Sequence, residues 1–135
     1  MEKIRHTGGC HCGGVRFAFR APRHVAVQRC NCSICSKTGF LHLIVPAVDF
    51  ELVAGQELLE CYTFNTGVAK HLFCKRCGVK SYYVPRSNPD GFSINLRCVD
   101  PGTLEGVSYE DFDGQRWEQA GPSLAHLSKT RAPKS

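Results

Sequence analysis

The grouping of cysteines constrains this chain more than any other feature. Seven of its nine cysteines fall into three tight groups, Cys10-x-Cys12, Cys30-x-Cys32-x-x-Cys35 and Cys74-x-x-Cys77. A structural zinc site is closed by four protein ligands, whereas a catalytic site keeps one position for water or substrate. Seven cysteines therefore predict two zinc ions per chain, one in a closed site of four sulfurs and one in an open site of three.

Length and composition indicate one small domain. The chain has 135 residues, and it reaches the first cysteine group without the apolar segment of a signal peptide. No stretch is long and apolar enough to span a bilayer. We expect a single cytoplasmic zinc-binding domain over residues 1–118 with no membrane partner, followed by a flexible C-terminal tail over residues 119–135 that is rich in Ala, Pro, Ser, Lys and Arg.

The cytoplasm and the net charge limit the possible functions. In a reducing compartment, clustered cysteines are metal ligands more often than disulfides, so a disulfide-based redox protein is the least favoured alternative. The formal net charge of +5 would suit a polyanion partner. Seven zinc-bound thiolates and two Zn²⁺ ions reduce it to about +2, an ordinary value for a small domain. The charge alone therefore gives little support to nucleic-acid binding.

Hydrophobic alternation with a period of two predicts a mainly β fold with little helix. Val15, Phe17 and Phe19 alternate with Arg16, Ala18 and Arg20, as in a half-buried strand. Further predicted strands span residues 40–45, 57–64, 69–73, 79–84 and 92–96. Asn65-Thr66-Gly67 predicts a short hairpin loop, and residues 88–91 predict a turn. The one helical feature that we expect is a short turn around residues 109–112.

The spacing within the groups suggests how they combine. In an extended strand, residues i and i+2 lie on one face, so each Cys-x-Cys pair can present two sulfurs to one ion. Cys74-x-x-Cys77, followed by Gly78, is typical of a knuckle that closes a structural site. Pairing Cys10 and Cys12 with this knuckle gives a four-thiolate site. Cys30, Cys32 and Cys35 then form the open site.

Two other divisions of the ligands are open. In one, Cys32-x-x-Cys35 and Cys74-x-x-Cys77 form a single zinc ribbon, although the 38 residues between them exceed the usual spacing. In the other, a fourth protein ligand closes the three-cysteine group and leaves it without catalytic use. The candidates for that ligand are Cys98, Cys61, His11, His42 and His71.

The candidate fourth ligands also have structural interpretations. Cys61 lies in a strand pattern and is expected to be a small core residue. His11 should point away from the metal of its neighbours, and His42 and His71 suit structural or ligand-supporting roles. Arg86-Ser87-Asn88 is compatible with an anionic substrate, and the adjacent turn explains it equally well.

Three motifs together resemble the glutathione-dependent formaldehyde-activating enzyme family. They are Gly9-Cys10-His11-Cys12-Gly13-Gly14-Val15, Cys30-Asn31-Cys32-Ser33-Ile34-Cys35 and Phe73-Cys74-Lys75-Arg76-Cys77-Gly78. Residues 62–66 and 85–89 are similar to its centromere protein V branch. The resemblance runs from about Gly8 to Asp100.

The resemblance implies a fold, a set of ligands and an activity. The fold is a β-tent of folded sheets stapled by zinc. Cys10, Cys12, Cys74 and Cys77 would hold a structural zinc, and Cys30, Cys32 and Cys35 a catalytic one. The activity would be that of a zinc-dependent carbon-sulfur lyase of the S-(hydroxymethyl)glutathione synthase type, which adds glutathione or a similar thiol to formaldehyde or a related carbonyl compound.

A zinc-stabilised module that binds protein or nucleic acid is the alternative function. It rests on the basic residues around the knuckle, Lys70, Lys75, Arg76 and Lys80. Such a module requires that these side chains form one exposed positive face.

Overall fold

A computed structural model describes residues 2–116 and 121–129. Its secondary structure is mainly β, as predicted, and the described residues contain ten strands and one short α-helix. In chain order the strands are β1 Ile4–Gly9, β2 Arg16–Ala21, β3 His24–Cys30, β4 Leu41–Pro46, β5 Phe50–Ala54, β6 Leu59–Tyr62, β7 His71–Cys74, β8 Tyr82–Tyr83, β9 Gly91–Asn95 and β10 Gly106–Phe112. The helix α1 spans Ser33–Thr38. Short 3-10 segments span Ala47–Asp49, Gln56–Leu58, Leu96–Cys98, Gly114–Arg116 and Gly121–Ser128.

The strands form three open sheets. The strand orders are β1-β2-β5, β10-β3-β4-β9-β8 and β6-β7. Neighbouring strands are antiparallel except β10 and β3, which are parallel and pair Gly106 with His24 through to Phe112 with Cys30. This parallel pair brings the end of β10 to the second cysteine motif. In the described ranges, no helix has the length and apolarity needed to cross a bilayer.

Aromatic side chains of β2 anchor the core, as the alternation predicts. Phe17 and Phe19 each retain 1% of their accessible surface. The Phe17 ring centroid lies 5.7 Å from that of Phe50 and 5.9 Å from that of Tyr82. Burying a Phe side chain stabilises a fold by about 1.5–3 kcal/mol. The core therefore joins β2 to the five-stranded sheet through Tyr82.

The predicted strands are confirmed unevenly. β2, β4, β7 and β9 match their predicted positions to within about two residues. The predicted strand at 79–84 shortens to the two residues of β8, and the start of the predicted strand at 57–64 is a 3-10 turn. The helical turn expected around residues 109–112 is wrong, because these residues belong to β10 and pair with β3. The sequence analysis did not predict five of the observed elements, which are the strands β1, β3, β5 and β10 and the helix α1.

Both predicted turns lie between strands. Asn65 and Gly67 have φ values of 56° and 72° in the connection between β6 and β7. That connection covers residues 63–70, so it is longer than the short hairpin loop expected. In the 88–91 turn, the Gly91 N–H donates to the Asn88 carbonyl at 3.0 Å.

The predicted tail is partly described. Residues 119, 120 and 130–135 lie outside the described residues, and Gly121–Ser128 forms a 3-10 segment. The buried Asn88 Nδ2 donates to the Leu124 carbonyl at 2.9 Å and to Ser128 Oγ at 2.8 Å. The boundary after residue 118 and the flexibility of the tail stay predictions.

Candidate metal centres

Four sulfurs from distant parts of the chain form the first cysteine group. The Sγ atoms of Cys10, Cys12, Cys74 and Cys77 all lie within 4.8 Å of one another. Cys12 Sγ lies 3.6 Å from Cys10 Sγ and 3.7 Å from Cys74 Sγ. Four thiolates around a tetrahedral zinc with bonds of about 2.3 Å would be about 3.8 Å apart. The first group therefore fits a metal ion in size and in donor type.

A tight turn presents Cys10 and Cys12. Cys10 follows the end of β1, Gly13 has a φ of 79°, and the Gly13 N–H donates to the Cys10 carbonyl at 3.2 Å. The Val15 N–H reaches Cys10 Sγ at 3.3 Å. The expectation that an extended strand presents these two sulfurs is wrong, because the chain reverses within the motif.

The predicted knuckle closes the first group. The Gly78 N–H donates to the Cys74 carbonyl at 2.7 Å, and Gly78 adopts a φ of 78°. Hydrogen bonds from the backbone N–H groups of Cys77 and Arg76 lower the pKa of Cys74. Such bonds favour the thiolate, which is the form that binds a metal. The zinc-ribbon division is wrong, since Cys74 and Cys77 join Cys10 and Cys12.

The second cysteine group is built on the first turn of α1. Cys32 is the N-cap residue of this helix, and its Sγ accepts from the Cys35 N–H at 3.4 Å. The Cys32 N–H in turn lies 3.4 Å from Cys30 Sγ. Hydrogen bonds from the thiols of Cys30 and Cys35, together with backbone N–H groups, lower the pKa of Cys32 to about 2. Cys32 is therefore the sulfur of this group that most readily carries a negative charge.

A histidine joins this second group. His42 lies on β4, and its Nε2 is 3.1 Å from Cys35 Sγ. Cys30, Cys35 and His42 place their ligand atoms within 4.8 Å of one another. These three atoms could hold a metal ion. The set differs from the predicted triad, because His42 is in it and the Cys32 sulfur is not. His42, one of the residues considered as a fourth ligand, thus reaches the group itself.

The other ring nitrogen of His42 is held by two hydroxyl groups. Its Nδ1 lies 3.0 Å from Ser93 Oγ and 3.2 Å from the Tyr83 hydroxyl. Burial, and secondarily the charge of Lys80, lowers the pKa of His42 to about 3, so the ring is neutral. Hydroxyl groups both donate and accept, so either ring nitrogen can carry the single proton. Nε2 can consequently bind a metal or donate to the Cys35 sulfur.

The end of β10 supports the second group from the other side. Asn31 Nδ2 donates to Asp113 at 3.1 Å, and Asn31 Oδ1 accepts from the Gln115 N–H at 3.0 Å. Gly114 lies so close that a Cβ there would be 2.4 Å from Cys30 Sγ. Only glycine allows this approach without displacing the sulfur. Neither Asn31 nor Gly114 stood out in the sequence, because their partners are more than 80 residues away.

A cavity of about 420 Å³ opens on the second group. Cys30, Cys32, Cys35 and His42 line it, and no cysteine of the first group does. Its volume falls within the range of small-molecule sites, about 300–1,000 Å³. Among its described lining residues, Arg86 carries the one formal positive charge. The two groups thus differ in access, since only the second faces a space that could hold a substrate.

The remaining candidate ligands lie outside both groups. Cys61 is exposed, so its interpretation as a core residue is wrong. Cys98 is half-buried, and burial raises its pKa to about 11. His11 is exposed. All nine cysteines are free in the structure, which gives no support to a disulfide-based protein.

One of the four basic residues considered for nucleic-acid binding turns inward. Lys80 Nζ lies 2.7 Å from His71 Nδ1 and 3.8 Å from the centroid of the Tyr83 ring. Burial lowers the pKa of Lys80 to about 8. Its charge is therefore directed to the cavity wall, and the four residues do not form a single exposed positive face.

Comparisons with known proteins identify a family, a relative and a similar structure. The family model described as "Glutathione-dependent formaldehyde-activating enzyme" matches residues 5–113. A Halomonas elongata protein named "Putative glutathione-dependent formaldehyde-activating enzyme" is 36% identical over 78 residues, which cover 52% of this chain and 50% of that protein. The chain thus spans about half the length of this curated relative. A crystal structure of a Rhodobacter sphaeroides protein superposes with a TM-score of 0.63 at 33% identity, covering 77% of this chain and 99% of that one.

Proposed function

The chain belongs to the glutathione-dependent formaldehyde-activating enzyme family, and on that premise we propose that it adds glutathione, or a similar thiol, to formaldehyde or a related small carbonyl compound. The observation that carries the proposal is the cavity of about 420 Å³ on the second cysteine group. In this reaction a carbon–sulfur bond forms, the carbonyl π bond breaks, and the thiol proton passes to the oxygen. The reverse reaction is that of a carbon-sulfur lyase. If the protein is cytoplasmic, as we propose, the reducing environment would keep the substrate thiol reduced.

The two cysteine groups have separate roles in this proposal. Cys10, Cys12, Cys74 and Cys77 would hold a structural zinc, and Cys30, Cys32 and Cys35 a catalytic zinc. Thiolates are the ligands that zinc favours in closed sites, and three protein ligands suit a site that takes substrate. When bound, the second zinc would favour the thiolate form of a substrate thiol or polarise a carbonyl oxygen.

We assign His42 a supporting role. In this assignment its Nε2–H donates to the Cys35 sulfur at the observed 3.1 Å, while Nδ1 accepts from the Ser93 and Tyr83 hydroxyl groups. A hydrogen-bond donor to a ligand sulfur fixes the orientation of the sulfur and partly offsets the negative charge of the thiolate. The side of the group that faces the cavity is then left to the substrate sulfur.

Arg86 gives the cavity a contact for an anionic substrate. It lines the cavity together with Ser87. Glutathione carries two carboxylates, and a guanidinium binds a carboxylate with two parallel hydrogen bonds. The partners of the protein in this proposal are accordingly a small thiol and an aldehyde, with no membrane or nucleic acid.

The test is the rate at which glutathione, formaldehyde and their adduct exchange. Zinc-loaded protein is added to the equilibrated mixture, and exchange is followed by two-dimensional NMR. We expect the protein to accelerate exchange, and Cys32→Ser to return the rate to that of buffer. Cys61→Ser is the matched control, because Cys61 is exposed and outside both groups. Equal rates with the wild type and Cys32→Ser would overturn the proposal.

A further inference from the structure

Two buried polar atoms on the cavity wall have no hydrogen-bond partner in the described part of the chain. They are His71 Nε2 and Gln28 Oε1, and within the described residues these are the two such buried side-chain atoms. His71 is 5% exposed and Gln28 is 4% exposed. Leaving a buried polar group unpaired is unfavourable, so each such atom needs an explanation. Both residues line the same cavity, which suggests that a ligand pairs them.

Lys80 determines which hydrogen-bonding role His71 Nε2 plays. Lys80 Nζ lies 2.7 Å from His71 Nδ1. An ammonium group can only donate, so Nδ1 must accept. Burial, and secondarily the Lys80 charge, lowers the pKa of His71 to about 4, so the ring holds one proton at neutral pH. That proton is on Nε2, which is consequently an unpaired, buried donor on a residue that lines the cavity.

Aromatic packing fixes the direction of this donor. The His71 ring stacks on Tyr83 at 4.9 Å between centroids and on Phe64 at 5.3 Å, with interplanar angles of 14° and 21°. The two stacked rings fix the plane of the imidazole, and the Lys80 contact at Nδ1 fixes which edge of the ring carries Nε2. Because the Tyr83 hydroxyl also contacts His42, the donor belongs to the same wall as the second cysteine group.

Glu110 determines the role of Gln28 in a similar way. Gln28 Nε2 donates to Glu110 Oε1 at 3.1 Å. A carboxylate only accepts, so it selects the amide NH₂ and leaves Gln28 Oε1 as an unpaired acceptor. Gln28 on β3 is the register partner of His42 on β4. Two residues of the cavity lining therefore carry an unpaired donor and an unpaired acceptor of fixed type.

From this pair we infer that the cavity recognises the peptide part of its thiol substrate, with His71 Nε2–H donating to an oxygen and Gln28 Oε1 accepting from an N–H. The inference rests on the proposed function for the identity of the substrate class. Formaldehyde cannot meet both requirements, because it offers an acceptor and no donor. A peptide thiol such as glutathione supplies both through its amide, carboxylate and amino groups.

Binding of S-methylglutathione tests the inference without turnover. This ligand keeps the peptide groups and has no thiol to react. We expect His71→Phe and Gln28→Leu to weaken its binding to zinc-loaded protein by about fivefold to tenfold each, the effect of one lost hydrogen bond. His71→Gln, which keeps an N–H donor, should recover part of the loss. Dimethyl sulfide, which lacks the peptide, should bind the wild type and both variants equally.

Imidazole NMR of the wild type provides a second measurement if a variant fails to fold. With ¹⁵N-labelled histidine, we expect His71 to be the Nε2–H tautomer and its Nε2 signal to move when S-methylglutathione is added. Unchanged affinity in both variants, an Nδ1–H tautomer, or a signal that moves only when formaldehyde accompanies a thiol would overturn the inference. Failure of glutathione–formaldehyde exchange, with these binding results intact, would overturn the proposed reaction alone.

Discussion

The two cysteine groups present the same kind of donor atom, a cysteine sulfur, and differ in what surrounds these sulfurs. The first draws its sulfurs from a turn and a knuckle, and none of its cysteines lines the large cavity. The second places its sulfurs at the start of a short helix, beside His42 and open to that cavity. Ligand identity alone therefore does not assign a role to a cysteine site. In the proposed division of roles, access to space and the neighbouring side chains distinguish the group that would hold the fold from the one that would accept a substrate.

The largest expected effect is loss of the fold when the first group is broken. Cys74 is fully buried and joins β7 to the N-terminal turn through the shared site. Binding of a structural zinc contributes on the order of 10 kcal/mol to folding, so Cys74→Ser should abolish the cooperative thermal transition. Cys32→Ser should keep that transition. Similar transitions in the two variants would remove the distinction between a structural and a catalytic group.

The next effect concerns Gly114, which lies against the second group. A Cβ at Gly114 would be 2.4 Å from Cys30 Sγ and 2.8 Å from Cys32 Cβ. Gly114→Ala should weaken zinc binding at the second group by about 100-fold, within the usual cost of overpacking. Gly14→Ala is the control beside the first group, because its closest contact is the flexible Leu58 side chain. Competition with a chromophoric chelator measures both affinities, and equal losses would contradict the prediction.

Replacing His42 should have a smaller effect on the same group. If His42 donates to the Cys35 sulfur, His42→Phe should lower metal affinity by about tenfold, as loss of a ligand-supporting contact does. The absorption bands of bound Co²⁺ should keep their positions. A marked shift of these bands, or complete loss of the second ion, would mean that His42 is itself a ligand.

The last expected effect is a pH dependence of stability that arises from His71 in the cavity lining. The pKa of His71 is lowered to about 4 from its ordinary 6.5, so the unfolded chain takes up the proton first as the pH falls. The free energy of unfolding should then decrease by about 1 kcal/mol per pH unit between pH 6 and 5, and stop decreasing on this account below pH 4. Denaturant unfolding of the wild type and His71→Gln across this range isolates the contribution. Parallel curves for the two proteins would contradict it.

Local features of the chain were predictable from its sequence. The burial of Phe17 and Phe19 follows from their alternation with Arg16, Ala18 and Arg20, although Ala18, expected on the outer face, is also buried. The assignment of Cys74 and Cys77 to a knuckle follows from their spacing and from Gly78, whose positive φ the structure contains. In each case residues close in sequence determine the local structure, so the sequence pattern is enough to predict it.

Features that depend on distant partners were not predictable. Helix α1 has six residues, too few to give a helical period, and its start is fixed by the Cys32 sulfur. His42 reaches the second group only because β4 pairs with β3 in a register that places it opposite Gln28. The strand β10 was missed because it pairs with a strand 82 residues earlier, and no local pattern records that pairing.

The parallel pairing of β10 with β3 also has a consequence for the order of assembly during translation. All four sulfurs of the first group have been synthesised once Gly78 has followed the knuckle, whereas Gly114 and Gln115 reach the second group only when nearly the whole chain has been made. Contacts between residues so far apart in sequence form late, because closing a long loop is entropically unfavourable. We expect a nascent chain to acquire its stabilising ion first and to become competent for chemistry last.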